Sequence, residues 1–225
     1  MTQTVQPMEA VTTNGSTAAV PATTGSPVTI RRRAVDTLLV GAGVVVSAVL
    51  LAAGGLLTWG NNFAEDYVGD ELTAQHVYFP DQAALEEEGR TDLVQYAGEQ
   101  VTTGSEAEAY ASYIDGHLAG IADGATYADL GPTVREAEAA VTAAQDAGEN
   151  EATVAELQAT ADELSGQRDS LFKGETLRGL LLSTFAWSTI GRIAGIAAVV
   201  AFVAAGVMLL LVVAGLVHRS RTATT

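Results

Sequence analysis

The chain has 225 residues, 48% of them hydrophobic but only 6% aromatic, and a formal charge of −16 at neutral pH. Of its 27 acidic residues, 25 lie between positions 61 and 177 against four basic ones, a balance that repels polyanions and excludes a nucleic-acid partner. The absence of cysteine removes disulfides, thiolate metal sites and cysteine nucleophiles together.

Residues 1–30 are Thr, Ala, Gly, Ser, Val and Pro in no period and read as a disordered tail. Arg31, Arg32 and Arg33 then precede an apolar run, and residues 35–59 predict a first transmembrane helix, since about 20 apolar residues cross a hydrocarbon core. The run is longer than the apolar region of a signal peptide, and Trp59 closes it as an interfacial anchor. The acidic segment 61–177 follows. Its helical pattern continues to residue 77 and breaks at Tyr78, Phe79 and Pro80. Residues 81–91 read as a polar turn and residues 92–101 as a further helix.

Ser105 with Glu108 three residues on has the form of a capping box, opening a helix with Tyr110, Tyr113, Ile114, His117, Leu118 and Ile121 on one face. Asp123, Gly124 and residues 127–131 are expected to end that helix, with Pro132 starting the next. Val134, Ala137, Val141 and Ala144 step by three and four residues, as do Val154, Leu157, Ala161, Leu164, Arg168 and Leu171. Two such stripes predict an antiparallel helical hairpin over residues 132–171.

The second hairpin helix can run on through Gly174, its only soft point, into a second transmembrane helix over residues 193–217. Trp187 and Arg192 are placed at the outer interface, Arg192 by snorkelling. His218, Arg219 and Arg221 follow in the tail 218–225. Basic residues thus flank both ends at the membrane, and the positive-inside rule predicts a multi-pass plasma-membrane protein with both termini cytoplasmic. Small residues on the two spans, among them Gly43, Ser47, Gly191, Gly195, Ala197, Ala201 and Ala205, allow their backbones to approach closely. The expected fold is all-α: two transmembrane helices with an extracytoplasmic helical segment that includes the hairpin. Such a segment without disulfides suits a bacterial cell envelope.

Chemistry is sparse. The chain has no nucleophile elbow, phosphate loop, zinc-binding H-E-x-x-H or calcium loop. Of three histidines only His76 and His117 fall in the outer segment, where with Glu71 they could form a facial metal triad. In so acidic a segment some Glu always lies near some His. The reading is therefore a non-enzymatic protein with no catalytic, cofactor or metal residues, whose partners are the lipid bilayer and another membrane protein complex. The alternatives are a metal-dependent enzyme on His76 and His117, and an envelope sensor lacking its own output domain.

Several short stretches carry a resemblance: Thr58-Trp59-Gly60 closing the first span, residues 71–77 (ELTAQHV), residues 110–117 (YASYIDGH) and residues 126–130 (TYADL). With these the chain resembles a family of small actinobacterial two-span membrane proteins, many of them labelled aromatic ring-opening dioxygenases. The resemblance covers most of residues 35–217, and the hairpin resembles an insertion relative to shorter members. It implies a two-span envelope protein and supplies no catalytic residues. The dioxygenase label would need iron held by two histidines and a glutamate beside an aromatic pocket, whereas His76 and His117 sit on separate predicted helices outside the membrane. The label therefore reads as an error of transfer.

Overall fold

The computed structural model describes residues 32–222 and is helical almost throughout: α1 (Arg32–Ala74), α2 (Gln82–Glu87), α3 (Gly104–Ala119), α4 (Tyr127–Asp146) and α5 (Glu151–Thr222). Two short 3-10 helices, Thr91–Tyr96 and Ala122–Gly124, complete it. The predicted tail over residues 1–30 and Arg31 lie outside the described residues, as do residues 223–225.

α5 has 72 residues and so is about 108 Å long at roughly 1.5 Å per residue; α1, with 43 residues, is about 65 Å long. Both are long and apolar enough to cross a membrane. Only 17% and 22% of their most apolar windows are buried, which separates them from the core helices of a water-soluble fold. Leu38, Leu39, Val45 and Val49 on α1 and Ile196, Val200, Val203 and Leu210 on α5 are all exposed.

The two helices lie side by side and antiparallel, and glycines set their separation. A Cβ on Gly43 would come within 2.6 Å of Val212 Cγ2, one on Gly54 within 2.9 Å of the Phe202 ring, and one on Gly191 within 2.8 Å of Ala64 Cβ. Gly195 sits against Asn61 in the same register. Ala198, Ala201 and Ala205 are buried along this seam, and Ser47, buried opposite, satisfies its hydroxyl by donating to the Gly43 carbonyl at 2.8 Å. Ala197, grouped with the seam in the sequence, is only half-buried; Ala198 takes the inward position.

Beyond the seam α1 continues without a break to Ala74. There the chain turns through Gln75 and His76, the latter in the left-handed region at φ 52°. Residues 77–79 and 99–101 then pair antiparallel through the amide of Phe79 to the Glu99 carbonyl and of Val101 to the Val77 carbonyl, both 2.9 Å. This pairing closes a loop that departs from expectation twice. The polar turn contains α2, capped by the Asp81 carboxylate on the Ala84 amide. In place of a helix over residues 92–101 there is a 3-10 turn followed by extended chain, because Gly98, at φ 72°, turns the backbone toward Pro80.

α3 starts two residues earlier than predicted. Its capping box is Thr103 with Glu106, not Ser105 with Glu108. Gly104 must sit inside the first turn, since it packs directly on Ser188 of α5 with no room for a side chain. α4 likewise begins ahead of Pro132, at Tyr127, through a second capping box of Thr126 and Asp129. Pro132 falls inside the helix and leaves the Ala128 carbonyl without its usual amide donor.

The hairpin seam matches the stripes. Val134, Val141, Ala144, Ala161 and Leu171 are buried, and Ala137, Val154, Leu157, Leu164 and Arg168 are half-buried. α5 passes through Gly174 unbroken. The missing side chain there makes room for Leu118 of α3, which joins Leu130 and Leu171 in a small core. The principal core at the α3 end is Val68, Leu72, Phe79, Val101 and Ala107, with Tyr96, Tyr110 and Leu181 packed on it. Phe79 stacks on Tyr96 at 5.1 Å and meets Tyr110 edge-on at 5.2 Å.

Candidate functional site

The predicted anchors fall into two groups. Arg32 and Arg33 open α1, and Arg219 and Arg221 lie in the last turn of α5, so the basic residues gather at one end of the antiparallel pair. Trp59, Trp187 and Arg192 lie toward the other end. Trp59 and Trp187 are exposed. The Arg192 guanidinium donates to the Ser105 hydroxyl at 3.3 Å, tying α5 to the first turn of α3.

Trp59 is also the foot of a ladder. Its ring stacks on Phe63 at 5.7 Å, and Phe63 on Tyr67 at 6.1 Å, one helical turn apart each time, and all three rings are exposed. The spacing of four residues is present in the sequence, within the helical pattern that continues to residue 77.

The two candidate histidines stand apart in role. His76 occupies the turn after α1, in the left-handed region. Among the described residues no three His, Asp or Glu side chains are grouped so that they could hold a metal ion. His117 lies on α3 in an open cleft of about 340 Å³ with Glu88, Arg90, Tyr113, Gly116 and Gly120.

A chain of contacts builds that cleft. Arg90 clamps Asp92 with two nitrogens, at 3.1 and 2.9 Å, and donates across to the Ser112 carbonyl and hydroxyl at 2.7 and 2.9 Å. The Asp92 hydrogen bonds hold that carboxyl below its usual range and raise Arg90 above an already high value. Gly116 is small where Arg90 crosses α3: a Cβ there would lie 3.2 Å from the guanidinium.

Glu88, at the end of α2, accepts from the Tyr113 hydroxyl at 3.4 Å and faces His117 Nε2 at 3.6 Å. Burial first, then the Glu88 charge and hydrogen bond, push the Tyr113 phenol up. The Tyr113 and His117 rings meet edge-on at 4.5 Å, and His117 Nδ1 lies 3.2 Å from the Tyr113 carbonyl. Every charge here has a protein partner, so the cleft joins the 82–96 loop to α3. The sequence places Tyr113 and His117 on one helix face but not Glu88 and Arg90 against them, because the loop contact spans 22 to 25 residues.

A second polar junction surrounds Glu106. Burial would push its carboxyl up, but the amides of Thr102 and Thr103 at 2.7 and 2.9 Å, with the Thr102 hydroxyl at 3.0 Å, outweigh it and hold the group below its usual range. At the hairpin, the Arg168 guanidinium lies 4.0 Å from the centre of the Tyr127 ring, which also packs against Phe172. No protein-family model, curated protein or solved structure matches the chain.

Proposed function

We propose that this is an integral membrane protein of the bacterial cell envelope, with α1 and α5 crossing the plasma membrane and both termini in the cytoplasm. On this reading it is a non-enzymatic structural or partner-binding protein that holds an acidic helical hairpin away from the bilayer. The observation that carries it is the largely unburied apolar surface on both helices of a tightly packed pair. The gathering of Arg32, Arg33, Arg219 and Arg221 at one end supports the orientation by the positive-inside rule. The kinship with the actinobacterial two-span family belongs to the same reading.

Continuity of α5 supports the scaffold role. From Glu151 to Arg192 it has 42 residues beyond the second predicted span, or about 63 Å of unbroken helix, with α4 laid along its outer part. A rod of this kind presents a charged surface at a fixed height, which suits contact with another membrane complex.

Because the chain has no cysteine, single cysteines report topology without background. In intact cells a membrane-impermeant maleimide is expected to label Glu87→Cys and Gln145→Cys, while Thr13→Cys and Thr224→Cys react only after lysis. Labelling of all four in intact cells would sink the orientation. Crosslinking in native membranes tests the partner: a specific adduct through the hairpin supports it, and recovery of the chain alone in mild detergent counts against it.

A further inference from the structure

Just beyond the apolar seam the two sides of the α1–α5 pair differ. One side is covered by the start of α3, and the hollow there is polar, with Glu65, Ser105 and Arg192 in its lining. The opposite side is uncovered. There Phe63 and Tyr67 of α1 and Trp187 and Ile190 of α5 wall a groove of about 250 Å³, and its floor carries nothing larger than the methyl groups of Ala64 and Ala194. No charged side chain lines it. Exposed Leu180 extends the same stripe of α5 two turns beyond Trp187.

Lipid cannot cover this patch. Ala64 lies against Gly191 and Asn61 against Gly195, so Trp187 stands level with Val68, nine residues above Trp59. That is about 13 Å at roughly 1.5 Å per residue, and an ordinary tilt shortens it by only about 1 Å. The polar layer of one leaflet is roughly 5–8 Å thick. With Trp59 at the edge of the hydrocarbon, the rings of Tyr67 and Trp187 therefore stand in water.

The apolar area there is large for a surface left bare. Phe63, Tyr67 and Trp187 are 58%, 58% and 61% exposed, and Ile190 and Leu180 57% and 62%. At roughly 200 Å² per aromatic side chain and about 100 Å² per aliphatic one, this amounts to roughly 500 Å². Below it the stripe continues onto exposed Leu56, Val49 and Val45 of α1, which add about 200 Å² on the same footing. The sum falls within the roughly 600–1,000 Å² that each partner gives to a stable interface.

Resting on the membrane reading above, we propose that this face binds the same face of a second copy of the chain, the two copies being related by a two-fold axis along the membrane normal. Three features select a second copy. Every copy inserted the same way presents the patch at the same height, so symmetry supplies the match that a different partner would have to acquire. The surface is self-complementary, because protruding rings lie beside a floor without large side chains, and each copy offers its rings to the other's floor. Charge fits as well. At 3.6 residues per turn, exposed Asp66 and Asp70 lie about 160° and 120° around α1 from Ala64, on the flank of the ladder away from α5. No residue of α5 from Gly179 to Gly191 is charged. The axis sets the α1 rim of each copy against the α5 rim of the other, so the aspartates of the two copies lie at opposite edges and meet uncharged chain. The product is a four-helix bundle that rises out of the outer leaflet.

The chain has no cysteine, so two single-cysteine chains can be mixed in one phosphatidylcholine vesicle. Asp70 stands at the height of Ala186 by the register of the seam. With Asp70→Cys on one chain and Ala186→Cys on the other, a short bismaleimide is expected to link the two at several times the yield of Glu65→Cys mixed with Ala186→Cys, since Glu65 faces the α3 side. Asp70→Cys alone is expected to give little product. Full-length chain carrying a fluorophore on Thr224→Cys is expected to bleach in two steps, and Trp187→Ala, at an exposed site, to need about tenfold higher density in the bilayer to pair. Equal linking through Asp70→Cys and Glu65→Cys overturns the face. A chain that resists alkaline extraction from membranes yet bleaches in one step at every density overturns the pairing and leaves the membrane reading intact. Linking of Ala186→Cys in native membranes to a different protein, with no pair of like chains, also overturns it. Release of the chain by alkaline extraction sinks the membrane reading, and the pairing with it.

Discussion

α5 is packed in two different ways along its length. Toward its C-terminal end it meets α1 through missing side chains, with Gly43, Gly54, Gly191 and Gly195 each admitting an atom of the other helix. Toward its N-terminal end it meets α3 and the 77–101 loop through larger groups, Leu171 buried and Leu181 half-buried, with caps and an ion pair around them. In lipid, apolar side chains gain nothing by leaving their surroundings, so association rests on close backbone contact. In water, burying a leucine or phenylalanine is itself the driving force. One helix built by both rules is what a chain requires if half of it is solvated by hydrocarbon.

The sharpest way to break the half around α3 is Phe79→Ala. The ring is 3% exposed and contacts Tyr96 and Tyr110, so its loss is expected to destabilise the loop and α3 by about 3–5 kcal/mol. Hydrogen exchange in detergent should show α3 amides losing protection while those of α1 near Gly54 keep theirs. Equal loss in both places would mean that the two halves of α5 do not depend on different contacts.

For the seam the matching test is Gly191→Leu. Its side chain would collide with Ala64, an overpacking expected to cost about 1–3 kcal/mol, whereas Gly206→Leu meets nothing within 4 Å and should be tolerated. The readout is a disulfide. A Cβ on Gly195 lies 3.6 Å from Asn61 Cβ, inside the range a disulfide spans, so Asn61→Cys with Gly195→Cys should crosslink on oxidation. Gly191→Leu should lower that yield and Gly206→Leu should not. Absence of any crosslink in the otherwise unaltered chain would refute the register.

These contacts also mark what a sequence can reveal. Steps of three and four residues exposed the hairpin seam to Arg168 and Leu171, and uninterrupted apolar runs exposed both long helices, because such signals are local. The start of α3 is not decided locally: the sequence reading takes Ser105 with Glu108, and the structure uses Thr103 with Glu106. The contact of Gly104 with Ser188, 84 positions away, chooses between them. The Glu88–Tyr113–His117 cleft and the pairing of residues 77–79 with 99–101 were illegible for the same reason, since each depends on a return of the chain that no local period encodes. Pro132 misled because a proline is commonest in the first turn of a helix, and here Thr126 had already started it.

The cap itself supplies the next test. Thr103→Ala is expected to cost about 1 kcal/mol of α3 stability. Because Glu106 has a lowered carboxyl pKa in the fold, its contribution is present above the ordinary value of 4.5 and is lost as pH falls through the lower folded value. Acid titration followed by circular dichroism should therefore weaken the half around α3 below about pH 4.5, and Glu106→Gln should flatten that dependence. A titration curve unchanged by Glu106→Gln would remove Glu106 from the account.

The smallest expected effect lies at the hairpin, where α4 is held to α5 largely by alanine and valine. Arg168 is half-buried, lies 4.0 Å from the Tyr127 ring centre and donates to the Tyr127 carbonyl at 3.4 Å. Arg168→Met keeps the alkyl stem but removes the charge, and is expected to cost about 0.5–1 kcal/mol, the value of a partly exposed cation–π contact. Tyr127→Leu should cost more, because it also removes the packing on Phe172. If the two losses in combination equal their sum, measured by exchange of α4 amides, the pair is not coupled, and the hairpin is held by its narrow apolar seam alone. A shortfall of the double variant from that sum would locate in Arg168 a polar contact that fixes the height of α4 along the rod.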